Sequence, residues 1–142
     1  MAAVILEIAD EMVSIVNAAS LSLPFTAERV YLPRHTLLEL EDLTVSVVPR
    51  LNLFKAGARR HPTKDISVDI GVEQKTDGSL SEIDPLLLLV EELHDLFFHR
   101  RLDTPAGVVW QEITNEPLYS PERLDEERVF MSVITVTYNR TV

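Results

Sequence analysis

Between Ile5 and Ala19 apolar side chains recur at steps of three and four: Ile5, Ile8, Ala9, Met12, Ile15, Val16 and Ala19. Glu7, Asp10, Glu11 and Ser14 take the remaining positions, so the spacing predicts an amphipathic helix that lays one stripe on a core. Ser20, Ser22 and Pro24 follow, and proline cannot continue the helical hydrogen-bond ladder, which places the end near Ala19. The period then changes from that of a helix to that of a strand. Ala27–Leu32 reads as a short strand closed by Pro33, and Leu43–Val48 alternates Leu43, Val45 and Val47 against Thr44 and Ser46 before Pro49. Asp65–Lys75 alternates more cleanly. Ile66, Val68, Ile70 and Val72 share one face, while Asp65, Ser67, Asp69 and Glu73 lean the other way and require water or a polar neighbour.

After Thr76-Asp77-Gly78-Ser79 the pattern returns to a helix running to about Arg100, with Ser81 or Asp84 as its cap and Pro85 in its first turn. Leu86, Leu89, Val90, Leu93 and Phe97 form the apolar stripe, and Leu87, Leu88, Leu96 and Phe98 widen it beyond what one sheet face covers. Such a helix is enclosed within the domain or packs on a second subunit. Gly107–Ile113 and Val129–Arg140 read as the last strands, joined by a connection in which Ser120-Pro121-Glu122 opens a short acidic helix. The expected fold is α+β: a mainly antiparallel sheet of four to five strands, two main helices, and long inter-strand loops, in one domain spanning residues 1–142.

Charge divides the chain unevenly. Residues 1–49 carry two basic and seven acidic groups, residues 50–64 five and none, and residues 65–142 six and sixteen, which sums to a net −10. An acidic body argues against the domain gripping nucleic acid, because binding requires a cationic face that releases phosphate counterions. Arg50, Lys55, Arg59, Arg60 and Lys64, with His61 among them, form a basic island. It reads as a loop about 15 residues long, and loops of that length are uncommon unless they have a task. An acidic surface on a neighbouring subunit or ring is the simplest partner.

Candidate chemistry is sparse. The absence of cysteine excludes disulfides, thiolate nucleophiles and Cys-ligated zinc. His94 and His99 are five apart on a helix, which turns them away from each other, so no metal site is expected. Glu91, Glu92 and Asp95 read as a solvated helix face, although paired carboxylates in a cleft serve acid and base roles. None of the four glycines forms a phosphate loop, a dinucleotide fingerprint or a nucleophile elbow. Neither an enzymatic activity nor a cofactor is expected. Ala2–Leu6 lacks the basic flank of a signal peptide, and Leu86–Val90 is too short to cross a bilayer, so a cytoplasmic product without a membrane anchor is expected.

The order of elements resembles the small tail-terminator and neck proteins of long-tailed bacteriophages. So do the stretches Val16-Asn17-Ala18-Ala19, Phe25 to Pro33, Leu43 to Pro49, Asp65 to Lys75, Leu89 to Asp95 and Glu116-Pro117-Leu118-Tyr119-Ser120-Pro121. The resemblance implies a virion protein of the head-to-tail junction, assembled in the host cytoplasm as a ring, commonly a hexamer. Such a ring caps the tail tube, contacts neck or connector proteins, and lets DNA pass without binding it. An adjacent neck or tail-completion protein is the near alternative.

Three sets of residues carry these expectations. Arg50, Lys55, Arg59, Arg60 and Lys64 are expected to dock on a neighbour, Leu118 and Tyr119 to offer it apolar contacts, and Asp65, Asp69 and Glu73 to face the channel. Two rivals predict different structures. A small hydrolase would bury Glu91, Asp95 and a histidine together, and a non-viral adaptor would present one apolar groove.

Overall fold

The computed structural model describes residues 3–31, 41–56 and 62–141. The chain folds as α1 (Val4–Ala18), β1 (Ala27–Arg29), β2 (Thr44–Lys55), β3 (Thr63–Lys75), α2 (Leu80–Phe97), β4 (Val108–Asn115), α3 (Pro121–Glu126) and β5 (Val129–Thr141). The strands form one sheet in the order β1-β2-β3-β5-β4, antiparallel throughout except for the parallel β1–β2 pair at one edge. This is the expected α+β class. The ends of the first predicted strand, Leu32 and Pro33, lie outside the described residues.

The apolar stripes meet on one face of the sheet. Ile8, Ala9, Met12 and Val16 of α1 and Leu86, Leu89, Val90, Leu93 and Phe97 of α2 form one cluster with Val45, Val47, Ile66, Val68, Ile70, Val72, Phe130, Ile134, Val136 and Tyr138. Asn17 ties α1 to the sheet edge, since its amide accepts from the N–H of Ala27 and donates to that residue's carbonyl, at 2.8 and 3.1 Å. Tyr138 is fully buried, and its hydroxyl donates to the carbonyl of Arg100 at 2.9 Å, fixing the chain that leaves α2. Burial pushes that phenol's pKa upward, so it remains a neutral donor.

Four expectations need correction. Pro49 does not end β2, which continues to Lys55. Proline lies beyond the last β1 pairing at Val47 and beside a bulge, a position where a missing N–H is tolerated. The basic segment is therefore not a loop: Arg50–Lys55 and Thr63–Lys64 are the two arms of a β-hairpin. α2 begins at Leu80, which puts Pro85 inside the helix rather than in its first turn. Its N-cap is Ser79, whose side chain makes no capping bond, while Glu82 reaches back to accept from Thr76 Oγ1 and the N–H of Asp77 at 2.7 and 2.8 Å.

Two bulges set which side chains face which way. In β2 the register with β3 shifts between Pro49 and Leu51, and Arg50 is the extra residue. Without it, Leu51 and Leu53 would follow Val45, Val47 and Pro49 onto the helix-covered face. With it, they move to the opposite face beside Ser67 and Asp65. A second bulge at Gln111 in β4 keeps both Trp110 and Ile113 toward the core.

Replacing Tyr138 by phenylalanine removes one buried hydrogen bond without opening a cavity. The expected loss is about 1 kcal/mol of unfolding free energy in a urea titration, with an unchanged slope.

Candidate functional site

The sheet face opposite the two main helices carries a ladder of polar pairs. Asp65 accepts from Lys55 Nζ at 2.7 Å, Asn139 Nδ2 at 2.8 Å and Gln111 Nε2 at 3.4 Å. Thr135 Oγ1 donates to Asp69 at 2.7 Å, and Arg50 approaches both that carboxylate, at 3.7 Å, and Thr135, at 3.2 Å. Ser67 and Thr137 hydroxyls are 2.9 Å apart. Glu73 pairs with Arg123 at 2.9 Å, and Arg123 also holds Glu127 one turn along α3 at 3.2 Å. α3 presents that arginine because Ser120 caps it and Pro121 opens it, as expected from the sequence.

Asp65, Asp69 and Glu73 thus do share a face, but each has its cation within the same chain. Asp65 and Glu73 are 5% and 3% exposed, which leaves Asp69 as the most accessible of the three toward any channel. The electrostatics follow from the geometry. The Lys55 ammonium, then the Asn139 amide, hold the Asp65 carboxyl below its ordinary pKa against the opposing effect of burial.

The hairpin residues divide. Arg50 and Lys55 lean back onto β3, although about half of each side chain stays exposed, and Lys64 lies over the Phe54 ring at 5.2 Å. Arg59, Arg60 and His61 lie outside the described residues. What the sequence reading missed is the apolar character of the same arm: Leu51, Leu53 and Phe54 are 47%, 45% and 69% exposed. The alternation of Leu51 and Leu53 across Asn52 was the available signal, hidden by treating Pro49 as a stop.

Leu118 and Tyr119 are exposed at the far end of the sheet, where the Pro117 carbonyl accepts from Val133 N–H at 3.1 Å. Leu118 borders a shallow groove with Leu87, Val90, His94 and Asn115. Val133 is level with Gly71, and the hairpin arm reaches Thr63. The exposed apolar residues of that arm, Leu51, Leu53 and Phe54, are level with Ser67, Asp65 and Lys64, four to seven strand residues from Gly71, roughly 13–23 Å. The two expected contact sets are therefore distinct patches. Of the surplus apolar residues at α2, Leu87 and Leu96 pack against the core, whereas Leu88 and Phe98 stay exposed, as does Leu80 at the start of the helix.

Among the described residues Glu91, Asp95 and a histidine are not buried together. Asp95 is largely exposed, His94 Nδ1 lies 3.6 Å from it at the surface, and Glu91 is exposed. Glu92 has a structural part, accepting from both the hydroxyl and the N–H of Ser22 and so joining α2 to the segment after α1. Among the described residues no three His, Asp or Glu side chains converge as metal ligands, and no helix is long and apolar enough to cross a membrane. A cleft of about 570 Å³ is lined by His99, Arg101, Leu102, Asp103, Val108 and Trp110. Trp110 packs there in an aromatic group with Phe98 and His99, at centroid distances of 5.4 and 4.3 Å.

No protein-family model and no curated protein matches the chain. Among solved structures, one similar chain belongs to a structure described as the virion of a native gene transfer agent particle. It is 11% identical, the match covers 99% of this chain and 94% of that one, and the TM-score is 0.49. At that identity and score the likeness assigns neither a family nor an activity.

The Asp65–Lys55 pair gives a pH test. Because the folded carboxyl titrates below its unfolded value of 3.8, its stabilisation is complete above that pH and is lost as pH falls through the folded value. Asp65→Asn should melt below the parent protein by a constant margin from pH 7 to 5, with the gap narrowing below about pH 4. A gap independent of pH would assign the loss to packing instead.

Proposed function

We propose that the chain is a structural subunit of a bacteriophage head-to-tail junction that assembles into a closed ring of identical copies, terminating the tail tube and joining it to the neck. The observation that carries the reading is the presence of two separated exposed apolar patches, Leu51, Leu53 and Phe54 on the hairpin and Leu118 with Tyr119 at the opposite end. A ring contact joins two different surfaces of each subunit, and it closes when the rotation between neighbours divides a full turn. Two unlike patches on one chain are what such a contact uses. The sequence resemblance supplies the rest of the reading: the virion location, the count of six, and tail-tube and neck proteins as neighbours. No cofactor and no catalytic step belong to this role.

The net charge of −10 suits a conduit, because a wall of like charge lets DNA pass without sticking. With Asp65 and Glu73 buried in ion pairs, that repulsion falls to exposed acids rather than to the whole β3 ladder. The basic segment Arg50–Lys64 is the element that docks on an acidic neighbouring surface.

Two measurements test the reading. On purified tail tubes the protein is expected as a closed ring of identical copies. A single copy per tube, or no association with tubes, refutes the assignment, whereas a monomer in dilute solution does not, since rings of this kind also form only at the tube end. Reversing Arg59 and Arg60 to glutamate should weaken assembly, most strongly at low ionic strength where screening is least. Assembly unchanged across salt would remove Arg59 and Arg60 from the interface.

A further inference from the structure

Among the described residues the sheet has two open edges, and they lie at the same height. β1 pairs with β2 only at Val45, Ser46 and Val47, so among the described residues no strand covers β2 from Pro49 to Lys55. At the other edge β4 pairs with β5 alone. Following the register across the sheet, Leu53 is level with Asp65, then Asn139, then Val109. By the same path Leu51 is level with Glu112, and Phe54 with Val108. The uncovered stretch of β2 and the strand β4 therefore occupy one band of the sheet.

Each edge has the character of a contact. Leu51, Leu53 and Phe54 on one and Val109 on the other are exposed, where solvent-facing edges are ordinarily blunted by charge or kept short. Their charges are opposite. β2 beyond Pro49 carries Arg50 and Lys55 and no carboxylate, whereas β4 carries Glu112, with Glu116 just past its end, and no cation.

We infer that the uncovered edge of β2 pairs with β4 of a second copy of this chain, so that the sheets of neighbouring subunits run on as one. Within a subunit β2 is antiparallel to β3, β3 to β5 and β5 to β4, so β2 and β4 run in opposite directions. A neighbour placed by rotation about an axis along the strands keeps its strand directions, and its β4 meets β2 antiparallel. Because the two edges are level, the contact needs no rise along that axis, which is the condition for a ring rather than a helical filament. Backbone hydrogen bonds then give the contact its strength, Leu53 against Val109 its apolar centre, and Glu112 beside Arg50 and Leu51 its polarity. This rests on the ring reading above and takes β4, not Leu118 and Tyr119, as the surface of the neighbour that meets the β2 patch.

The absence of cysteine makes the test direct. Within one chain Leu53 and Val109 are separated by three strand spacings, about 14 Å, too far for a disulfide. Any bond between cysteines at these positions therefore joins two copies. Leu53→Cys/Val109→Cys and, to cover a two-residue slip, Leu51→Cys/Val109→Cys are oxidised in the assembled state, with native mass recorded on the same samples. Leu53→Cys/Leu80→Cys is the control, Leu80 being exposed but on α2.

The expected result is a reductant-sensitive ladder for at least one edge pair, ending at the ring number, with the control remaining monomeric on the gel. If native mass shows a ring and neither edge pair cross-links, or the control cross-links equally, the edge pairing is overturned while the ring stands. If no ring forms in solution or on tail tubes, the ring reading falls and the pairing with it.

Discussion

The central strand β3 faces two opposed demands, and most of the structure answers them. Its even-numbered residues from Ile66 to Val72 enter a dry core, so its odd-numbered residues must face the other way, and three of those are the carboxylates Asp65, Asp69 and Glu73. A carboxylate covered to a few per cent exposure is costly unless a cation and further donors meet it. Each of the three has such partners at its own level: Lys55, Asn139 and Gln111; Arg50 and Thr135; and Arg123. β2, β4, β5 and α3 are thereby all held to β3 by polar groups on one face as well as by packing on the other.

This requirement explains the basic segment more economically than a docking loop does. Arg50 and Lys55 are placed where β3 needs positive charge, and the bulge at Arg50 is what turns the arm's side chains to that face. The same bulge moves Leu51 and Leu53 away from the core, where they would have been covered, to a face and edge where they are exposed. An arm that neutralises β3 and an arm that leaves Leu51 and Leu53 exposed are one arm, and one extra residue produces both. Lys55 and Arg50 keep half their side chains open, so they serve the inner pairs without being withdrawn from an outer contact.

The helices and strands were legible in the sequence wherever periodicity was long. α1, the alternation of β3, the apolar stripe of α2 and the inward set Phe130 to Tyr138 of β5 could all be read from spacing alone. What could not be read was set by neighbours. Proline argues against a strand only where its missing N–H is needed, and whether Pro49 sits at an edge depends on how far β1 reaches, which no local pattern encodes. Pro85 within α2 and the reach of Glu82 to Thr76 and Asp77 are likewise decided by where the preceding turn folds. At the candidate site, the shared face of Asp65, Asp69 and Glu73 followed from period two. Their pairing did not, because Arg123 is fifty residues from Glu73 in sequence.

The charge balance constrains how copies of this chain associate. Among the described residues four cations, Arg29, Arg50, Lys55 and Arg123, are engaged within the subunit, and exposed acids on α2, α3 and their connections carry the net −10 outward. Copies brought together therefore repel at long range, within about a Debye length of 8–10 Å at ordinary ionic strength. An interface for such a subunit has to be supported by interactions of shorter range, and the two kinds available are apolar burial and backbone hydrogen bonding. The edge of β2 offers both: side chains of Leu51, Leu53 and Phe54 already out of the core, and a stretch past Val47 that no described strand covers. Short-range attraction under long-range repulsion discriminates sharply by geometry, since a misplaced neighbour incurs the repulsion without the compensating strand. That combination favours one well-registered contact over many loose ones, which is what a ring of defined number requires and what indiscriminate edge-to-edge aggregation lacks.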